Sequence, residues 1–368
     1  MQINSLFLEN FRNYSAQNIS FDPVCNVICG ENAQGKTNLL EAIVYLSTGK
    51  SHRTRSDREL TSFGQNGYQL EGHIFSRNRE FLSKIESYSN KKKKIYINKI
   101  NIKNLSELSQ ILNTIFFCPE DLQLIKEGAA ARRRFMDVSL CQLRPNYASA
   151  LTEYTRLHEH KTRILRDHDE HPDLLKTLPD FNRKLAETGA VLIHYRARFA
   201  KYLSKYAKIT HKDCSGGKEK LEILYQTVKT ITDPFAKQDV LISQLEEHQQ
   251  KHHAADLSSR QCLSGPHKDD LEVLVNNLPA RSFASQGQTR TAALAMKLAA
   301  REIHREIIGE YPVLLLDDVL SELDPKRQEF VLNRISGGQV FITCCEDDRL
   351  NQLLKGKVLT IKNGTVSE

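Results

Sequence analysis

The feature that most constrains this chain is a glycine-rich segment at residues 30–37, which reads GENAQGKT. It matches the phosphate-binding pattern G-x-x-x-x-G-K-[ST] at every fixed position. An apolar run at residues 24–29 precedes it, and a segment with helical spacing of apolar residues follows it. Strand, loop and helix in that order is the setting that the motif requires. The chain is therefore predicted to be an α/β protein that binds a nucleoside triphosphate.

The residue types in this loop suit a phosphate ligand. Glycines allow the backbone to curl so that its N–H groups face the phosphates, and the N-terminus of the following helix attracts anions. Lys36 is expected to neutralise the β and γ phosphates, and Thr37 is expected to bind Mg²⁺ through its hydroxyl. The predicted nucleotide-binding residues of the loop are Gly30, Glu31, Asn32, Ala33, Gln34, Gly35, Lys36 and Thr37.

A second acidic element lies nearer the C-terminal end. Residues 313–316 form a continuous apolar run, which predicts a strand buried on both faces, and the run ends in Asp317 and Asp318. Asp317 is expected to accept a Mg²⁺-bound water, and Asp318 to orient the water that attacks the γ-phosphate. Lys36, Asp317 and Asp318 are thus the predicted catalytic residues, and Thr37 and Asp317 the predicted metal site. Which carboxylate contributes more stays open.

Composition narrows the class of protein. A chain of 368 residues has room for one large or two medium domains, and its formal charge of +7 suits an anionic partner. The eight cysteines include no C-x-x-C pair, which favours reduced thiols. The N-terminus resembles no signal peptide, and we find no apolar run of about 18 residues, so a soluble cytoplasmic protein without membrane association is expected. Clustered histidines at positions 158, 160, 168 and 171 stand among charged residues, which favours a solvated helix end over a metal site.

The hydrophobic pattern predicts two domains. Strands are expected at residues 3–11, 68–75, 81–88 and 95–102, and long amphipathic helices at residues 130–167 and 181–207. The strand predicted at residues 271–275 is expected to return the chain to the sheet of the ATPase head. Residues 1–125 and 262–368 are predicted to form a discontinuous ATPase head, and residues 126–261 a mostly helical second lobe.

Two basic clusters have alternative interpretations. Four lysines at residues 91–94 form either a solvated turn that guards a sheet edge or a contact to DNA phosphates. Three arginines at residues 132–134 stand near a predicted helix start, where they oppose the helix dipole. They pair either with Glu120 and Asp121 or with a bound phosphate.

A short polar segment, residues 285–288, precedes a helix rich in alanine, leucine and methionine. The Ser285 hydroxyl and the Gly287 backbone suit an anion at the helix N-terminus, although S-x-G-Q is a weak signal by itself. Together, residues 30–37, 285–288, 314–318 and 321–324 resemble the motifs of an ATP-binding-cassette ATPase head. Within that superfamily the chain resembles the RecF family of bacterial recombination and repair proteins over essentially its full length. The matching segments are residues 8–14, 30–37, 119–122, 133–137, 264–270 and 315–324.

The resemblance implies a weak, DNA-stimulated ATPase of DNA repair, recombination, replication restart and the SOS response. It implies an ATP-dependent homodimer that binds double-stranded DNA near junctions with single strands and helps RecO and RecR to load RecA at gaps. Each ATP would lie between residues 30–37 of one subunit and Ser285, Gly287 and Gln288 of the other. Arg12 is a further candidate for contacting the nucleotide.

Two positions depart from the wider superfamily pattern. Asp318 stands where a glutamate is usual, and Thr343 stands where many cassettes have a histidine. The shorter side chain of Asp318 predicts slow hydrolysis, and Thr343 predicts weaker sensing of the γ-phosphate through a hydroxyl. The alternatives are a chromosome-organising or repair-nuclease ATPase of the SMC type, which needs a long heptad coil and a hinge or zinc hook, and the nucleotide-binding subunit of a membrane transporter.

Overall fold

The computed structural model describes residues 1–54, 56–89, 91–345 and 356–367. They form two compact units, Met1–Leu122 with Lys297–Glu368, and Gln123–Met296. The strands are β1 (Gln2–Phe11), β2 (Tyr14–Ser20), β3 (Cys25–Cys29), β4 (Gly67–Ser76), β5 (Arg79–Tyr88), β6 (Lys94–Ile97), β7 (Ile100–Ile102), β8 (Thr114–Phe117), β9 (Leu221–Gln226), β10 (Asp270–Val275), β11 (Leu278–Pro279), β12 (Val313–Leu316), β13 (Val340–Cys344), β14 (Lys357–Lys362) and β15 (Thr365–Ser367). The helices are α1 (Lys36–Thr48), α2 (Leu108–Ile111), α3 (Ala129–Leu143), α4 (Pro145–Asp167), α5 (Leu178–Cys214), α6 (Gln238–Ser259), α7 (Ala280–Phe283), α8 (Gln286–Ile308) and α9 (Pro325–Arg334). No helix in these described ranges is both long and apolar enough to cross a membrane.

The first unit contains two sheets. One has the strand order β2-β1-β4-β5-β6-β7 and is antiparallel throughout. The other has the order β15-β14-β3-β13-β12-β8, and only its β14–β15 pair is antiparallel. Strands β3, β12 and β13 are buried along their whole length, as expected of parallel strands that are covered on both faces.

Helix α1 packs against strands of both sheets. Its apolar side chains join residues of β1, β4, β13 and β14 in one continuous core. Because α1 follows β3 directly after residues 30–35, the phosphate-binding segment lies at the carboxyl end of a central strand. This is the position at which ligands bind in open α/β sheets.

The second unit is mainly helical. Helix α5 has 37 residues, which corresponds to a length of about 55 Å. It packs against α4, α6 and β9, and buried apolar residues of α5 and α6 form a separate core. Strands β9, β10 and β11 form a small antiparallel sheet in this unit.

Several expectations about these elements were wrong. The helix expected at residues 130–167 is two helices, because Pro145 disfavours the helical conformation at Arg144, which has φ −140°. Strand β10 pairs with β9 and does not return to the parallel sheet. The second unit accordingly continues to Met296, past the boundary expected at residue 261.

Candidate nucleotide site

The phosphate-binding loop depends on two glycines. Gly30 has φ 149° and Gly35 has φ 120°, a region that other residues rarely adopt. A Cβ atom on Gly30 would lie 2.5 Å from the carbonyl oxygen of Ile361, and one on Gly35 would lie 2.7 Å from the Asn13 amide. Space and backbone conformation therefore both require glycine at these positions.

The Lys36 side chain curls over the loop. It is 4% exposed, and its Nζ donates to the carbonyl oxygens of Gly30 at 2.6 Å and Glu31 at 3.2 Å. The loop also contacts a segment near the C-terminal end of the sequence, because Gln34 Oε1 accepts from the backbone N–H of Asn363 at 2.6 Å. A buried ammonium group at the N-terminus of α1 concentrates positive charge where the sequence predicts phosphate binding.

An acidic cluster forms where β12, β13 and α1 meet. Thr37 Oγ1 lies 3.1 Å and Thr343 Oγ1 lies 2.9 Å from the same oxygen, Asp317 Oδ1. Thr343 Oγ1 also accepts from the backbone N–H of Asp318 at 2.8 Å. The parallel pairing of Leu316 with Ile342 brings these residues to the same edge of the sheet. The structure thus brings Thr37 and Asp317, the predicted Mg²⁺ residues, together, and Thr343 bridges Asp317 and Asp318.

The buried carboxyl group of Asp317 has a perturbed pKa. Burial raises this pKa, and hydrogen bonds from Thr37 and Thr343 only partly offset the effect. A negative charge in this position is therefore costly without a cation nearby. The donor set of one carboxylate and one threonine hydroxyl consists of hard oxygens, which fit Mg²⁺.

Arg12 is held by Glu41, a residue of α1 that the sequence analysis did not identify. The Arg12 guanidinium donates to both Glu41 oxygens at 2.9 Å and to the carbonyl oxygen of Glu59 at 2.8 Å. Burial alone would raise the pKa of Glu41, but hydrogen bonds from Arg12 and Ser51 and the charges of Arg12 and Arg53 lower it below its usual value. Contact between Arg12 and a nucleotide stays a prediction.

Two neighbours of Arg12 support the loop. Asn13 Nδ2 donates to the carbonyl oxygen of Gln34 at 2.8 Å, and Tyr14 Oη donates to that of Gly35 at 2.9 Å. Tyr14 is fully buried. The sequence marked Asn13 and Tyr14 only as members of the segment 8–14 that matches the family. It gave no indication that they contact the phosphate-binding loop, which lies about twenty residues further along the chain.

Residues 285–288 belong to the second unit and form a capping box. The backbone N–H of Gln288 donates to Ser285 Oγ at 3.2 Å, and the backbone N–H of Ser285 donates to Gln288 Oε1 at 2.9 Å. The Gln288 amide also donates to Glu219 at 2.9 Å. The helix starts at Gln286, so Gly287 lies in its first turn. Ser285 therefore has a structural role whether or not it binds an anion.

The structure assigns partners within the two basic clusters. Lys93 forms an ion pair with Asp57 at 2.8 Å and donates to the carbonyl oxygen of Gly49 at 2.7 Å, whereas Lys91 and Lys92 are exposed. Arg132 is 4% exposed and binds Asp270 at 2.7 Å. Pairing of this arginine with Glu120 and Asp121 was therefore a wrong expectation. Its burial also removes it from the candidates for DNA contact.

A buried ion network explains two segments that matched the family pattern. Arg196 is 3% exposed on its side chain and binds Asp137 at 2.8 Å and Asp269 at 2.9 Å. Asp269 is completely buried and also accepts from the Tyr225 hydroxyl. Residues 133–137 and 264–270 thus hold the second unit together from opposite ends of its sequence.

Comparison with known proteins places the chain in a family. Residues 2–367 match the family described as the RecF/RecN/SMC N terminal domain. A "DNA replication and repair protein RecF" of Clostridium kluyveri is 40% identical over 369 residues, which cover all of this chain and all of that protein. The chain belongs to the RecF family. A RecF of Agathobacter rectalis is also 40% identical and covers all of this chain and 99% of that protein.

Solved structures agree with this assignment. The structure of "the recombination mediator protein RecF-ATPrS in RecFOR pathway" superimposes with a TM-score of 0.92 at 33% identity, and covers all of this chain and 97% of that one. An Smc head domain from Pyrococcus furiosus matches with a TM-score of 0.57 at 15% identity, covering 99% of this chain and 95% of that one, which shows a shared fold alone. The RecF-type fold confirms the expected P-loop ATPase head of the ATP-binding-cassette class, with a mostly helical second lobe.

Proposed function

We propose that this RecF-family protein binds ATP with Mg²⁺ and, in that state, binds DNA in recombinational repair and replication restart. The observation that carries the proposal is the meeting of Lys36, Thr37 and Asp317 at the carboxyl ends of parallel strands. The names of its relatives, which cite DNA replication and repair and an ATP complex, agree with it.

The described residues fit MgATP. Lys36 would neutralise phosphate oxygens, and Thr37 and Asp317 would hold the cation directly and through water. Thr343 would position both aspartates, and Asp318 would orient the attacking water. Bound MgATP supplies the reactive phosphate and the divalent charge. Asp318 has a shorter side chain than glutamate, so a weak ATPase that acts as a switch is expected.

Replacement of Lys36 tests the nucleotide site. Lys36→Ala should abolish measurable ATP binding, because the phosphates lose a buried neutralising charge. Isothermal titration with a slowly hydrolysed ATP analogue measures the affinity. Lys50→Ala is the matched control, since Lys50 is exposed just beyond the same helix. Normal affinity in Lys36→Ala would contradict the phosphate-loop assignment.

A basic cleft in the first unit supports DNA binding. Its volume is about 1010 Å³, and Arg53, Arg58 and Lys91 contribute positive charge to its lining. Phe63 and Tyr88 line the same cleft with exposed rings. Positive charge beside aromatic rings suits phosphates and unstacked bases, which both occur at junctions of double and single strands.

The dependence of DNA affinity on salt tests this cleft. Each lost phosphate contact makes the negative slope of log affinity against log salt shallower by about 0.9 for duplex DNA, so the double variant Arg58→Ser, Lys91→Ser should make it shallower by about 1.8. The double variant Lys208→Ser, Lys212→Ser removes the same charge from the exposed surface of α5 and should leave the slope unchanged. Equal slopes in both variants would exclude the cleft from the interface. Binding of a junction substrate without ATP dependence would contradict the proposed switch.

The proposed dimer has its own test. We infer from the family resemblance that Ser285, Gly287 and Gln288 complete the ATP site of a second subunit, and that RecR, RecO and RecA act with the dimer. Light scattering with Mg²⁺ and the analogue should detect a dimer in the wild type and a monomer in Ser285→Arg. Because Ser285 caps α8, Ser285→Asn is the control that keeps a capping side chain. A monomer under all conditions would contradict the proposal that two subunits share each ATP site.

Relatives named RecF match over their full length, which favours this function over the two alternatives. The Smc likeness extends to the fold alone. A transporter subunit would bind ATP and fail to bind DNA, so the salt experiment also separates that class.

A further inference from the structure

A group of three side chains in the second unit has the composition of a metal site. His158 lies on α4, Cys262 follows α6, and His267 belongs to the segment 264–270. One potential ligand atom from each lies within 4.8 Å of the other two. The two imidazole rings are 4.2 Å apart between centroids. His158 is one of the clustered histidines for which the sequence favoured a solvated helix end, and its two partners come from separate segments, so no sequence pattern predicts this group.

The ligand types select the class of metal. Two imidazoles and a thiolate are typical ligands of Zn²⁺, and carboxylate-seeking Mg²⁺ or Ca²⁺ would not choose them. Tetrahedral zinc with ordinary bond lengths places its ligand atoms about 3.3–3.6 Å apart. The three potential ligand atoms lie within 4.8 Å of one another, so small side-chain rotations toward a common centre would bring them to those distances. We propose that His158, Cys262 and His267 bind one Zn²⁺ ion, with the fourth position filled by water.

Hydrogen bonds already orient the central histidine. His267 Nδ1 lies 2.8 Å from Tyr154 Oη, and its Nε2 lies 2.8 Å from the carbonyl oxygen of Cys262. When one nitrogen turns to the metal, the other keeps its partner, which is the usual way in which proteins orient a metal-binding imidazole. Burial lowers the pKa of His267 to about 3, and burial also lowers the pKa of His158. Both rings are therefore neutral near pH 7, as metal ligands must be.

The charges around the group are nearly balanced. Lys161 approaches Cys262, but it forms a 2.8 Å ion pair with Asp256, and both partners are at most 2% exposed. The other charged groups acting on the two rings are Lys268, Arg133 and Glu159. Burial raises the pKa of Cys262, so its thiol is protonated in the metal-free protein. Binding therefore replaces the S–H bond by an S–Zn bond and releases one proton to solvent.

Cobalt provides a spectroscopic test. Full-length protein freed of metal by chelator is titrated with Co²⁺, which gives a near-ultraviolet charge-transfer band only when a thiolate binds it. We expect one Co²⁺ per chain, displacement by Zn²⁺, and release of one proton per ion in weakly buffered solution. Cys262→Ser should lose the band, and His158→Ala should weaken binding at least tenfold.

Two controls separate this group from other ligands. His160→Ala removes a histidine elsewhere on α4, and Cys345→Ser removes an exposed thiol near the phosphate loop; both variants should behave as wild type. His158 is only half-buried, so His158→Ala keeps the test valid if Cys262→Ser fails to fold. The absence of a charge-transfer band in folded wild type, or its persistence in Cys262→Ser, would overturn the proposal.

Discussion

Replacement of Thr343 by valine is the sharpest test of the acidic cluster, because valine keeps the shape of threonine and removes its hydroxyl. That hydroxyl accepts from the backbone N–H of Asp318 and contacts Asp317 Oδ1, and Thr343 is 2% exposed. A buried donor left without a partner costs about 1–3 kcal/mol, and a hydrogen bond to a charged group contributes about 1.5–3 kcal/mol. Since the two effects overlap, we expect the free energy of unfolding to fall by about 3 kcal/mol near pH 7.

The size of this loss should depend on pH. Burial raises the pKa of Asp317 in the folded protein, and the Thr343 hydroxyl partly offsets that increase. Removing the hydroxyl raises the folded-state pKa further, which makes the ionised carboxylate more costly. The deficit of the variant is therefore smallest where Asp317 is protonated in both states, and it grows as the pH rises through the raised folded-state pKa of Asp317.

Urea unfolding at pH 5 and pH 8, followed by circular dichroism, measures both effects. Thr343→Ser is the matched control, because it keeps the hydroxyl and loses only one methyl group, worth about 0.8 kcal/mol. Titration with MgATP should also reveal weaker binding in the valine variant than in the serine variant. Equal stability losses in the two variants at pH 8, or a valine deficit that does not change with pH, would refute the role assigned to the hydroxyl.

Three further predictions follow from the same structure. Gly35→Ala should weaken ATP binding at least tenfold in a calorimetric titration, because Gly35 has φ 120° and the new Cβ would lie 2.7 Å from the Asn13 amide. Gly64→Ala is the control, since Gly64 has φ 79° and faces open space, and this variant should bind ATP normally. Arg196→Met should lower the free energy of unfolding by about 3–5 kcal/mol, because the buried Asp269 carboxylate loses its neutralising cation. Arg198→Met, on the exposed face of α5, should not lower it. Asp318→Asn should keep ATP affinity and slow phosphate release; an unchanged rate would mean that another group orients the water.

Local patterns were enough to predict the phosphate loop, the buried strand before Asp317 and the helical lobe. The proposed function of residues 30–37 depends on their own backbone and one lysine, so a few adjacent positions are enough to predict it. A continuous apolar run of four residues likewise identifies a strand covered on both faces. The resemblance to a known family then supplied the order of the motifs and an expected shared ATP site, which no single motif contains.

Long-range pairing decided the rest. Thr343 reaches Asp317 because β12 and β13 are neighbours in register, and Arg132 meets Asp270 rather than the nearer acids in the sequence. Strand β10 pairs with β9, although its composition would suit either sheet. His158 meets Cys262 and His267 only after three segments pack together. Hydrophobic periodicity shows which face of an element is buried, but it does not identify the partner, because many apolar faces are equally compatible until the whole chain has packed.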